Sequence, residues 1–249
     1  MISLSTGTLW PYGLNRIFKI AKESQFDSLE LILVSTSSNA YIDTWDAVYI
    51  NQLIKEYKIT VSSVHAHFEF EIEQDNFKDI INLTNSIGAT NIIVHIPRED
   101  QLNYIQWFND KYYNYHQKIP YLLAENVHYK IGKADPILKT VNEFNKLPNM
   151  CFDVAHALRS GVNPKKAIST LDNITQIHLS DWDGKEDHMS ILKRKKYYSD
   201  LLSLKNFDKI CLELCPKIFN NVADQKEIIR TLNNERNFVN KIITSETKR

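Results

Sequence analysis

Acidic and imidazole side chains crowd the stretch from Ile174 to Ser190, ITQIHLSDWDGKEDHMS. It opens as a short strand, with Ile177 and Leu179 facing one way and Gln176 and His178 the other. It closes in a polar loop, DWDGKEDH, holding five acidic or imidazole groups within eight residues. A buried strand that carries a histidine to its C-terminal tip, followed by the pair Glu186 and His188, supplies half of a divalent-metal site. Taken alone, the loop reads equally well as a helix cap with incidental charges. Other strands ending the same way tip the balance. His65, His95, Glu125, Asp153 with His156, and Glu213 each lie at the end of an apolar run.

Those tips need a regular frame behind them. Strands are expected at Ile2 to Ser5, Ser28 to Val34, 59 to 65, 91 to 97, in PYLLAEN ending at Asn126, at Met150 to His156, at the start of the organising stretch, and at 209 to 215. Between them lie helical patterns at Leu14 to Lys22, Trp45 to Tyr57, Asp75 to Ile87, Asp100 to His116 and Asp135 to Leu147. Further helices open at Asn163-Pro164, at Ile191 and near Asp224. Gly88 is placed to end the third helix. Parallel βα units repeated in this way close most naturally as a (β/α)8 TIM barrel, here one domain over residues 1–249. The alternative is an open doubly wound sheet, but its first turn would lack the glycines such sheets use for nucleotides.

In such a barrel the strand tips share one rim. Side-chain alternation tests the assignment independently. With His95 pointing inward, Val94 and Ile96 point out; with Glu125 inward, Leu122 and Ala124 point out; with Glu213 inward, Leu212 and Leu214 point out. On the sixth strand Asp153 and His156 differ in parity, which puts His156 on the following loop. Burying several carboxylates together without compensation costs on the order of several kcal/mol each. Converging carboxylates with interleaved imidazoles are what zinc or manganese takes.

The motifs AENV around Glu125, FDVAHA around Asp153 and His156, IHLSD around His178, EDH at 186 to 188 and LEL around Glu213 resemble those of the xylose-isomerase-like TIM-barrel superfamily. That superfamily includes sugar-phosphate isomerases and epimerases and the endonuclease IV type of apurinic endonuclease. The resemblance spans nearly the whole chain and is specific for the superfamily rather than for one activity. It implies a metal held by Glu125, Asp153, His178 and Glu213, with Glu125 and Glu213 as catalytic groups. The endonuclease branch implies a zinc cluster that also uses His65, His95, His156, Glu186 and His188. Two departures stand out. Glu186 replaces an aspartate of the endonucleases, and after His188 the chain reads MSILKRKKYY where many relatives have a Gly-x-Gly turn. The basic run 193–196 is either a phosphate contact or a solvated helix face. His67 is placed at the mouth, and Asn126 and Trp182 at the rim as substrate contacts. Asp181 either orients His178 or caps a turn; His116 and His128 receive no role.

Composition narrows the partners. Thirty basic and thirty acidic residues balance, so nothing in the net charge favours a polyanion. Three cysteines form no CxxC and no paired framework, which suits a reduced, cytoplasmic setting. No stretch has the length or apolar character of a membrane span. With six glycines there is no GxGxxG or GKS/T phosphate loop. The preferred expectation is a divalent-metal-dependent sugar or sugar-phosphate isomerase or epimerase working through an enediolate on a small carbohydrate. The alternative is a multi-zinc phosphodiesterase acting on abasic DNA, the one reading in which nucleic acid is a partner. Neutral charge and short loops favour the former. A metal-binding barrel without catalysis has no residue in its favour. Oligomeric state is open, a homo-oligomer included.

Overall fold

The computed structural model describes residues 1–33, 42–66, 76–95, 121–126, 141–219 and 224–246. Eight strands run through it: β1 Ile2–Ser5, β2 Ser28–Leu33, β3 Thr60–Ala66, β4 Asn91–His95, β5 Tyr121–Glu125, β6 Met150–Asp153, β7 Ile174–Leu179 and β8 Lys209–Leu212. Each pairs in parallel with the next, and β8 returns to β1, closing the (β/α)8 barrel.

Alternation along the strands divides two cores. Ile92, Val94, Leu122, Ala124, Phe152, Ile177, Leu179, Ile210 and Leu212 belong to the large apolar cluster shared with the helices. Ile93, Leu123 and Cys151, of the opposite parity, form a small cluster of their own inside the barrel. The helices supply matching apolar stripes. In Leu14–Glu23 the residues Leu14, Ile17, Phe18, Ile20 and Ala21 are buried. The helix Gln225–Glu246 turns Ile228, Leu232, Val239 and Ile242 inward.

Local chemistry sets where these elements begin and end. Asp46 caps the helix Ala47–Tyr57 by accepting from the amides of Val48 and Tyr49, both at 3.0 Å. Asn163 caps Pro164–Thr170 through the Lys166 amide at 3.2 Å, with proline in the first turn as expected. Gly88, at φ 71°, follows the helix Asn76–Ser86 and allows β4 to begin at Asn91. The sixth strand is shorter than the sequence suggests. Asp153 ends it and accepts from the His156 amide at 2.5 Å, so the chain turns directly into the helix Val154–Arg159. His156 therefore sits in the first turn of a helix rather than on a loop. The eighth strand also stops early, at Leu212, and Glu213 lies just past the ladder. The expected helix from Asp100 to His116 and residues His67, His116 and His128 fall outside the described residues, as does part of the segment Asp135 to Leu147. Among the described residues no helix is long and apolar enough to cross a membrane.

Candidate metal centre

The C-terminal rim collects His65 from β3, His95 from β4, Glu125 from β5, Asp153 from β6, His178 from β7 and Glu213 beyond β8. Strand register puts His95 beside Glu125 and Asp153 beside His178. His156 arrives on its helix, and His188 on the loop after β7. That loop doubles back through a two-hydrogen-bond bridge between Asp181 and Met189, 2.8 Å each way, and His188 takes a left-handed backbone at φ 56°.

Four overlapping groups result, in each of which the ligand-capable atoms lie within 4.8 Å of one another. Glu125, Asp153, His178 and Glu213 form a central group; His65, His95 and Glu125 form one flank; Asp153, His156 and His188 form the other; and Glu30 of β2 joins His65, His178 and Glu213 in a fourth. Glu125, Asp153, His65, His178 and Glu213 each serve two groups. Glu125 spans the first pair: Oε1 is 3.1 Å from His178 Nδ1, and Oε2 is 3.1 Å from His65 Nε2 and 3.2 Å from His95 Nε2. Glu213 Oε2 is 2.8 Å from His178 Nδ1. The oxygens Glu125 Oε2, Asp153 Oδ2 and Glu213 Oε2 are buried without an aligned hydrogen-bond donor, the state in which a divalent cation fits.

The imidazoles are held from behind. His156 Nδ1 lies 2.8 Å from the carbonyl of Asn126 and His188 Nδ1 lies 3.1 Å from that of Glu213, so each donates there and turns Nε2 inward. The two Nε2 atoms then face each other at 3.2 Å. His65 Nε2 and His95 Nε2 face each other likewise, at 3.1 Å. Two neutral imidazoles in that pose oppose lone pair to lone pair, and a proton or a metal ion between them relieves it.

Behind His65 and His178 stands Glu30 of β2, fully buried, which sequence reasoning missed inside an apolar run. Its carboxylate is 3.0 Å from His178 Nε2 and 3.5 Å from His65 Nδ1, and it accepts from Ser63 Oγ at 2.7 Å. Glu30 thus meets the far nitrogens of rings whose near nitrogens face Glu125. The signal for it was present: Leu29, Leu31 and Leu33 share the outward parity, leaving Glu30 inside.

Charges follow from this crowding. Burial disfavours the charged form of every group, but neighbours overrule it at most positions. Glu125 falls well below the usual carboxylate range because His178 and His65 outweigh its desolvation, and Glu213 falls to about 2 beside His178 and His188. Asp153 goes the other way, raised by burial. Burial pushes His65 down, yet Glu125 and Glu30 lift it to about 10; His178 rises well above its ordinary value against burial, beside Cys151, Glu30 and Glu125. His95, with less compensation, is lowered by burial. In the metal-free protein, protons on His65 and His178 stand where a cation's charge would otherwise balance the carboxylates.

Other expected residues are placed elsewhere. Glu186 is not brought into any of the four groups; its side chain is half exposed and pairs with Lys217 at 2.9 Å. Its spacing to His188 suggested a pair, but the turn that inverts the His188 backbone separates the two directions. Asn126 is buried rather than a rim contact: its amide donates to the Asp153 carbonyl at 2.8 Å and accepts from the Asp153 amide at 2.7 Å, pinning β5 to β6. Asp181 accepts from Tyr198 Oη at 2.7 Å, from Arg194 at 2.9 Å and from the Trp182 amide at 2.9 Å. It caps the turn and ties the loop to the next helix. Trp182 is half-buried on that loop, and residues 193–196 are a solvated face.

No family model and no curated protein sequence matches this chain. Solved structures do, along almost the entire length. A xylose isomerase domain-containing protein from Salmonella typhimurium LT2 aligns with TM-score 0.72 at 12% identity over 96% of each chain. The IolI protein, solved with a bound zinc atom, aligns with TM-score 0.71 at 11% identity over 98% of each chain. A sugar phosphate isomerase/epimerase from Parabacteroides distasonis ATCC 8503 gives 0.67 at 13% identity, over 96% of this chain and 94% of that one. The fold is thus the xylose-isomerase-like TIM barrel.

Proposed function

We propose that the chain is a divalent-metal-dependent isomerase or epimerase of a sugar or sugar phosphate. The observation that carries this reading is the central group, in which Glu125, Asp153, His178 and Glu213 bring ligand-capable atoms within 4.8 Å of one another at the barrel rim. The bound zinc in the IolI structure and the named activity of the Parabacteroides neighbour support it. A divalent cation held by these four residues, zinc or manganese, would polarise a substrate carbonyl and stabilise an enediolate. The chain's own part is proton movement. Glu213 is the most open of the set at 15% side-chain exposure and is held as an anion, so it takes the proton from the carbon beside the carbonyl. Returning it to the neighbouring carbon gives an isomer; an epimer requires a proton delivered to the opposite face of the first carbon by a second group, with Glu213 keeping the one it took. Glu125, pinned between His178 and His65, keeps its charge and serves the oxygen side.

One observation favours a second reading. The opposed Nε2 pairs at 3.1 and 3.2 Å give each flank a place for a further cation. A cluster would supply a hydroxide nucleophile, and phosphodiester hydrolysis on abasic DNA follows as the chemistry. His65, His95, His156 and His188 would then be ligands rather than contacts for substrate.

The deciding experiment is bound metal per chain by elemental analysis, for wild type and His95→Asn, beside assays on a ketose panel and an abasic-site duplex. One metal retained in the variant, with sugar turnover abolished by Glu213→Gln, is the expected result. Two or more metals, falling in the variant together with duplex cleavage, would establish the second reading. Absence of metal from both would sink the two together.

A further inference from the structure

We propose that Lys209, Asn91 and Gln176 form a one-way hydrogen-bonded column from the N-terminal mouth of the barrel to Glu30, fixing which ring nitrogen His178 turns toward the rim. Lys209 opens β8 and Asn91 opens β4, so both lie at the mouth opposite the candidate metal centre. Lys209 Nζ donates to Asn91 Oδ1 at 2.8 Å and also to Thr90 Oγ1. Asn91 Nδ2 donates to Gln176 Oε1 at 2.9 Å, and Gln176 Nε2 donates to Glu30 Oε2 at 2.6 Å. Asn91, Gln176 and Glu30 are all buried, beside the small apolar cluster that fills another part of the interior.

The direction of this column is forced by its ends. An ammonium can only donate, so the oxygen of Asn91 must face Lys209. An ionised carboxylate can only accept, so the amide nitrogen of Gln176 must face Glu30. Each amide between them then has one allowed orientation. Gln176 and Ser63 donate to Glu30 Oε2, and the same oxygen accepts from His178 Nε2 at 3.2 Å. With Nε2 committed as a donor, His178 presents Nδ1 to Glu125, Asp153 and Glu213. Gln176 Nε2 also lies 3.5 Å from His178 Nε2, while Lys209 and Asn91 act only through Gln176 and Glu30; all three are positioning residues. The role rests on the metal-centre reading only for its consequence, not for its geometry.

The test uses full-length protein as wild type, Lys209→Met, Lys209→Arg and Gln176→Leu, with thermal melting as the folding control. The first readout is the His178 Nε2–H proton in the metal-free protein, followed by nitrogen-resolved proton spectra and its exchange with solvent. It is expected to be hydrogen-bonded and slow to exchange in wild type and Lys209→Arg, and to exchange at least tenfold faster in Lys209→Met and Gln176→Leu. The second is zinc affinity by chelator competition, expected to fall about tenfold in the same two variants and to recover in Lys209→Arg. Unchanged proton exchange in folded Lys209→Met and Gln176→Leu would overturn the column. A wild type that binds no zinc while the proton readout behaves as expected would overturn the metal reading and leave the column standing.

Discussion

At the residue scale, Glu30 and Glu235 show two ways of burying a carboxylate. Glu30 is surrounded by donors, and burial is outweighed by His178 and His65, so it stays ionised. Glu30→Ala would leave His65 and His178 buried beside fewer acceptors; a destabilisation of roughly 2–4 kcal/mol is expected, read by denaturant unfolding of the metal-free protein. Glu235, on the C-terminal helix, receives a hydrogen bond from Ser190, yet burial lifts it to about 7. Its folded value lies above the unfolded 4.5, so its contribution to stability is whole below about 4.5 and is lost as the pH rises through about 7. Glu235→Gln should therefore melt higher than wild type at pH 8, by roughly 2–3 kcal/mol, with the gap closing by pH 5. An equal gap at both pH values would remove the carboxyl as its cause. The two residues were unequally legible. His178, Asp153 and Glu213 announce themselves as polar groups at strand tips. Glu30 lies mid-strand within SLELIL, and only the alternation of its leucine neighbours marks it as inward.

At the element scale, the sixth βα unit explains why one histidine was misplaced. Sequence parity put His156 on a loop, because a strand through His156 would send it outward. The strand instead ends at Asp153, whose carboxylate caps the next helix, and one helical turn carries His156 back over the rim. Capping is a local competition between side chain and backbone that alternation cannot register. Asp153 thus has two separable duties. Asparagine caps as well as aspartate but binds cations poorly, whereas alanine does neither. Metal-free Asp153→Ala should be about 1 kcal/mol less stable than metal-free Asp153→Asn, while both lose zinc. Equal stability of the two would show that the cap contributes nothing. The loop after β7 failed in the opposite sense: Glu186 looked paired with His188 by spacing, and the reversal at His188 sends it to Lys217.

At the scale of the whole molecule, the order of strands, their parallel pairing and their closure were readable from the apolar periodicity, since each βα unit repeats the same pattern. The interior was not. Nothing in the sequence joins Lys209 to Asn91 or Gln176; they become neighbours only when the barrel closes. A cation bound only by the native state adds RT ln(1 + [L]/Kd) to stability, about 2.7 kcal/mol at a hundredfold excess over Kd. Zinc at that level should raise the melting temperature by several degrees over chelator-stripped protein, measured by calorimetry. An identical melting temperature with metal shown to be bound would mean that the unfolded chain binds it as well.

The candidate ligands come from β2 through to the end of β8, while β1 contributes none. In mechanical terms, a bound ion would be a rivet through one arc of the barrel, leaving the β8–β1 seam unriveted. That seam is closed by the β1–β8 ladder, by the Ile210 amide on the Met1 carbonyl at 3.0 Å, and by the Leu214 amide on Thr8 Oγ1 at 2.9 Å. Loading with zinc should slow amide exchange across β4 to β7 far more than at the seam, so the barrel would part first like a stave cask whose rivet misses one joint.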